Sequence, residues 1–162
     1  MLSRHLRVNL LALIASGLMI AAMFFPWWSF RFEFSEPTNL FPYLISGPGS
    51  ELIGYKRSPQ MTILTAVLVA AIALCLAGSV LRGRTGRWLV AASGLLVLLA
   101  TWRLLVRVEA VAARFDLPIQ GYTRGTLSGF AVVEVWTWLR PGLYLIVAGG
   151  LLALIASAWR RK

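Results

Sequence analysis

Four long stretches of this chain carry no charged residue, and that limits the fold more than any other feature. They are residues 8–28, 61–81, 88–101 and 141–159. The third continues apolar past Arg103 through Leu104, Leu105 and Val106. A helix needs about 20 apolar residues to cross a hydrocarbon core of about 30 Å. Lipid offers no partners to free backbone groups, so such runs fold as helices. The sequence therefore predicts spans over about residues 8–28, 61–81, 87–106 and 141–159. A soluble protein with four buried helices is the alternative. Composition opposes it: 59% of residues are hydrophobic and 14% charged, against about 25% charged in ordinary globular domains.

Orientation follows from the basic residues beside the spans. Arg4 and Arg7 precede the first span, Arg82, Arg84 and Arg87 fill the inner turn at 82–87, and Arg160, Arg161 and Lys162 close the chain. No acid lies among them. All six acids (Glu33, Glu36, Glu51, Glu109, Asp116 and Glu134) fall in the outer loops at 29–60 and 107–140, where the other basic residues, Arg103 apart, are dispersed. Both termini and the turn are thus expected in the cytoplasm. The net charge of +10 reads as an anchoring device. Nucleic acid is not an expected partner, because these charges flank spans and form no continuous groove. The small residues Ala15, Ser16 and Gly17 would suit a cleaved leader, but the apolar run continues to Trp28, so an uncleaved first helix is expected.

The outer loops carry strand patterns. Trp28, Phe30, Phe32 and Phe34 alternate with Ser29, Arg31, Glu33 and Ser35, a period of two. Residues 130–138 are rich in Val, Trp and Phe, with Glu134, Trp136 and Trp138 on one face and Val133, Val135 and Thr137 on the other. The two segments are expected to share a small extracellular sheet. Arg103, Arg107 and Arg114 recur near helical spacing, so span three is expected to project past the membrane to about Asp116, ahead of Pro118 and Gly121. A faint echo at a spacing of 82 relates Ile45, Ser46, Gly47 and Pro59 to Leu127, Ser128, Gly129 and Pro141. Duplication and chance both account for it.

Aromatic residues gather at the span ends, which fits a headgroup-level belt or, alternatively, an outer binding surface. The candidates for that surface are Trp28, Phe30, Phe32, Trp136 and Trp138. Inside the spans, Gly149, Ala153 and Ser157 repeat every four residues, as do Ala66 with Ala70 and Ala73 with Ala77. Such rows let helices approach closely. They are expected to serve packing within the chain.

Catalytic chemistry is not expected. The single Cys75 lies mid-span and the single His5 lies in the amino-terminal stub. That leaves no disulfide, no bis-histidine haem and no usual zinc set. No phosphate loop or nucleophile motif appears. No acid sits mid-membrane, where proton-coupled carriers need one. Glu33 and Glu134 fall on expected strands and would be candidates for paired acid–base work. Pairing with Arg31, Arg124 or Arg140 is the preferred expectation. Neither cofactor nor metal is expected.

The topology resembles the claudin and peripheral-myelin-protein tetraspan family: both termini inside, a strand-forming first outer loop, and Trp27 or Trp28 directly after span one. That family's Gly-Leu-Trp element and paired loop cysteines have no counterpart here. The chain also resembles small prokaryotic four-span proteins with a Pro-Trp-Trp after the first helix (Pro26, Trp27, Trp28) and a Pro-Gly opening a glycine-rich last helix (Pro141, Gly142, Gly149, Gly150). The absence of outer cysteines and the Arg-rich inner flanks fit a prokaryotic plasma membrane.

The resulting expectation is an all-α membrane protein, a bundle of four transmembrane helices with a small extracellular sheet. It would be a non-enzymatic scaffold or accessory subunit, binding other membrane or envelope proteins or copies of itself. The alternative is a small transporter or channel component with a path lined by Ser16, Thr62, Thr65, Ser93 and Thr101.

Overall fold

Pro26 decides where the first helix stops. Proline disfavours helical backbone at the residue before it, and Phe25 is extended, with φ −104° and ψ 146°. Helix α1 accordingly covers Leu10–Phe24. Asn9 caps its start and accepts from the Ala12 N–H. The computed structural model describes residues 9–33, 35–52, 58–81, 83–113, 117–127 and 131–159. Several charges and strand positions read from the sequence lie outside those residues: Arg4, His5, Arg7, Phe34, Lys56, Arg57, Arg82, Arg114, Asp116, Ser128 and the basic tail.

Two boundaries depart from expectation. The described part of the first span has 15 helical residues, a rise of about 22 Å, and Trp27 and Trp28 belong to the sheet side of the Pro26 break. Among the described residues, three helices are long and apolar enough to cross a membrane, not four. They are α3 (Pro59–Val80), α4 (Gly83–Ala113) and α5 (Pro141–Ala158). The expected inner turn at 82–87 is mostly helix. Gly83, with φ +83°, adopts a backbone that L side chains avoid, and the chain enters α4 there. The 31 residues of α4 rise about 46 Å, more than the thickness of a hydrocarbon core of about 30 Å, and the expected end near Asp116 lies outside the described residues. Prolines open both α3 and α5, where a missing N–H costs nothing.

Helix α1 packs on α5 and α3, and α4 packs on α3 and α5. The contacts are made by small residues. A Cβ on Gly149 would lie 2.8 Å from Met19 Cγ, and one on Gly150 would lie 3.0 Å from Leu98 Cδ2. The neighbouring glycines thus seat α5 against α1 on one side and α4 on the other. Ala153 is fully buried in the same core. The row Gly149, Ala153 and Ser157 therefore serves packing within the chain, Ser157 at its half-buried end. Ala66, Ala70, Ala73 and Ala77 instead face outward. The small face that α3 buries is Ala71, Cys75, Gly78 and Ser79.

Each helix interface also has a polar tie, and the Asn9 N–H adds a second between α1 and α3 by donating to Ser79 O at 2.8 Å. Cys75 donates to Ala12 O at 3.3 Å (α3 to α1), Ser93 to Ala71 O at 2.6 Å (α4 to α3), Arg87 Nε to Ser157 O at 3.0 Å (α4 to α5), and Asn9 Nδ2 to Ala156 O at 3.3 Å (α1 to α5).

The sheet has five antiparallel strands. They are β1 (Trp28–Phe32), β2 (Thr38–Leu40), β3 (Ile45–Ser46), β4 (Gly121–Leu127) and β5 (Ala131–Leu139), in the order β3-β2-β1-β5-β4. A short helix, α2 (Gly49–Leu52), follows β3. The expected pairing of the two loops is present: Trp28 stands opposite Leu139 and Phe32 opposite Val135. At the 82-residue offset, Ile45 and Leu127 both lie in strands and Pro59 and Pro141 both open helices, while Ser128 and Gly129 lie outside the described residues.

Trp27 joins the sheet to the helices. It is 1% exposed and its indole donates to Ala22 O at 2.8 Å. Its own N–H donates to Leu40 O, and its carbonyl accepts from the Arg140 N–H.

Candidate functional site: the open face of the sheet

Antiparallel register assigns every strand side chain to one of two faces. Trp28, Phe30 and Phe32 share a face with Val135 and Thr137. That face is covered. The Trp28 indole donates to Ile119 O at 2.8 Å and Thr137 donates to Pro118 O at 2.7 Å. A Cβ on Gly49 would lie 2.6 Å from Phe30 Cζ. The three aromatic rings stack along the strand with centroids 5.4 and 5.6 Å apart. The three rings are half-buried, as Trp136 and Trp138 are on the other face.

Trp136 and Trp138 lie on the other face, with Ser29, Arg31, Tyr122, Arg124 and Glu134. The five aromatic residues read from the sequence as one binding surface are therefore split between opposite faces. The reason is the pleat: residues opposite one another in register point the same way, and Arg31 stands opposite Trp136 while Phe30 stands opposite Thr137.

On the open face lies a groove of about 650 Å³, lined by Arg31, Gln120, Gly121, Tyr122, Trp136, Thr137 and Trp138. Tyr122 and Trp136 pack at a tilt, with centroids 5.3 Å apart. The Arg140 guanidinium lies 5.6 Å from the centre of the Trp138 ring. Arg124 Nη2 donates to Glu134 Oε1 at 2.6 Å, with the carboxylate side chain only 19% exposed. Hydrogen bonding from the Tyr122 hydroxyl first, and from Arg124 second, holds the Glu134 carboxyl below the usual carboxylate range. Hydrogen bonding to Glu134 in turn pushes both Tyr122 and Arg124 up. The expected pairing of Glu134 with an arginine is thus realised with Arg124. Glu33 meets Glu134 through the main chain, its N–H donating to Glu134 O at 3.0 Å.

Gln120, Tyr122 and the whole of β4 were not legible in the sequence. The strand reads Gly-Tyr-Thr-Arg-Gly-Thr-Leu, with two glycines and few β-branched residues. Its pairing with the apolar β5 makes it a strand. The alternation of Tyr122 and Arg124 was the available signal.

The hydroxyls considered for a solute path are all engaged by main chain. Ser16 donates to Leu13 O, Thr62 to Ser58 O, Thr65 to Met61 O and Pro42 O, Ser93 to Ala71 O and Thr101 to Val97 O. Among the described residues, no group of three or more His, Cys, Asp or Glu side chains gathers. No protein-family model matches the chain, and no curated protein matches it.

Proposed function

We propose that this chain is a multi-pass protein of a prokaryotic plasma membrane, with four spanning helices, both termini cytoplasmic and the sheet outside. Large apolar side chains lie on the helix surfaces, among them Leu10, Ile14, Ile63, Val69, Leu95, Leu99, Leu151 and Ile155, while Ala, Gly and Ser share the interior with Met19, Leu68, Val90, Val97 and Ile146. A water-soluble surface would not carry so much apolar area. Lipid is the solvent that suits it, and small residues are what pack helices within lipid. The likeness to claudin-type tetraspans is, on this reading, one of architecture.

The protein then acts as a non-enzymatic scaffold or accessory subunit, engaging membrane or envelope proteins through its outer sheet. The observation that carries this reading is the open aromatic groove around Trp136, Trp138 and Arg31. Trp, Tyr and Arg dominate binding hot spots, where truncation costs about 2 kcal/mol or more. The scaffold reading is preferred to the transporter one because the candidate hydroxyls donate to main-chain carbonyls and the expected spans at 8–28, 61–81, 87–106 and 141–159 hold no acid.

The test compares partner co-purification in mild detergent for the wild type and for Trp136→Ala, Trp138→Ala, Thr65→Ala and Ser93→Ala at matched thermal stability. The tryptophan variants lose the partner. The hydroxyl variants change stability by about 0.6 kcal/mol per lost bond. Retained partner in the tryptophan variants, with a solute flux abolished by Thr65→Ala or Ser93→Ala, reverses the assignment.

A further inference from the structure

The groove on the open face has a charge and a height that protein partners alone do not explain. Among the described residues, the single ion pair is Arg124–Glu134. Glu134 is thereby engaged, and among the described residues no acid lies within 4.0 Å of Arg31 or Arg140, although Glu33 follows Arg31 by two positions. Arg140 also has a buried Nε without a hydrogen-bond partner among the described residues. Its guanidinium stands beside Trp138, a wall of the groove that Arg31 also lines. Arginine is the side chain suited to phosphate, through its planar fork of donors. The tryptophan rings offer flat apolar surface to the CH groups of a polyol.

The height follows from α5. Its 18 residues rise about 27 Å, close to the thickness of the hydrocarbon core. Pro141 therefore marks the boundary of that core when the helix spans. Trp138 precedes Pro141 by three residues and Trp136 by five, so at about 3.3 Å per strand residue they stand no more than about 10 and 16 Å above it. The groove thus lies within about 16 Å of that boundary, a band whose first ~5–7 Å is the headgroup layer.

We propose that this groove seats the headgroup of an anionic membrane lipid, a phosphodiester carrying a polyol. Arg31 holds the phosphate, Arg140 adds charge from behind Trp138, and Gln120 meets the polyol hydroxyls. The proposal rests on the membrane placement above, and it adds a lipid ligand to the face assigned to protein partners.

The test uses the full chain purified in non-ionic detergent, with dioctanoyl-phosphatidylglycerol as the probe. Dioctanoyl-phosphatidylcholine and free glycerol phosphate are the competitors. Native mass spectrometry counts retained lipid, and tryptophan fluorescence gives affinity. The variants are Arg31→Gln and Gln120→Ala, whose side chains are exposed, with Arg87→Gln at the other end of the helices as control. The expected result is one phosphatidylglycerol whose affinity falls about tenfold in Arg31→Gln, the scale of one lost charge-assisted hydrogen bond, with a smaller fall in Gln120→Ala. Arg87→Gln leaves that site unchanged. Wild-type affinity in Arg31→Gln overturns the proposal. So does equal competition by phosphatidylcholine, or by glycerol phosphate, which would make the site one for soluble phosphate esters. Alkaline extraction of membranes separates the two layers of inference. A chain released into the soluble fraction defeats the membrane reading, whereas a retained chain with an indifferent Arg31→Gln defeats the headgroup alone.

Discussion

A Cβ on Gly94 would lie 2.8 Å from the carbonyl oxygen of Gly150, so α4 and α5 cross where neither helix has a side chain to interpose. The obstructing atom is backbone, which cannot swing aside. Gly94→Ala should therefore push the helices apart and cost about 1–3 kcal/mol. Gly17 has nothing within 4 Å of its Cβ position, and Gly17→Ala should be neutral or stabilising by about 0.5–1 kcal/mol. Thermal unfolding of both variants in one detergent checks the contrast; equal midpoints would refute the close crossing.

The hydrogen bonds of Tyr122 and Arg124 to Glu134 predict a pH dependence of known sign. Glu134 has its carboxyl lowered in the folded state. Its contribution is thus fully present above the ordinary carboxylate value of about 4.5 and is lost as pH falls through the lower folded value. Wild type should lose stability on acidification below that range more steeply than Glu134→Gln. Unfolding midpoints between neutral pH and pH about 3 test this, and parallel curves would show that the pair contributes nothing.

Phe30 and Thr137 are cross-strand partners in the β1–β5 register. Cysteines placed there, as Phe30→Cys with Thr137→Cys in a Cys75→Ala background, should oxidise to an intramolecular disulfide, since facing strand positions bring Cβ atoms within bonding range. Moving one partner to Trp138 places the thiols on opposite faces, and Phe30→Cys with Trp138→Cys should stay reduced. A gel-shift assay distinguishes the two, and efficient cross-linking of the second pair would mean a register slip.

The proposed orientation puts Thr85 and Ser46 on opposite sides of the membrane. Both positions are exposed. Cysteine at Ser46 should react with an impermeant thiol reagent in intact cells, and cysteine at Thr85 only after permeabilisation. The reverse pattern inverts the topology.

Much of the helical part was legible because it rests on local properties. A charge-free run announces a helix by its length, and Pro59 and Pro141 mark the first residues of α3 and α5. Asn9 was readable as a helix-end residue, since a short side chain that accepts from the first turn is favoured there. The strands of residues 28–32 and 131–139 were legible through their period of two and their aromatic and β-branched content.

What the sequence could not decide was which faces meet. Alternation says that Phe30 and Arg31 point apart, but only pairing with β5 says that Trp136 joins Arg31 while the Trp28–Phe32 stripe turns under Ile119 and Gly49. The small-residue rows Gly149–Ala153 and Ala66–Ala70 look alike in the chain, yet one is buried against Met19 and the other faces outward. A helix's burial depends on where its neighbours stand, and that is a non-local property. The strand β4, weak in intrinsic preference, exists through its ladder to β5. With it came Tyr122 and Gln120, and with them the groove. The sequence by itself determined the number and length of the apolar segments. The tertiary structure alone decided the functional face, because a surface groove is built from residues that distant strands bring into register.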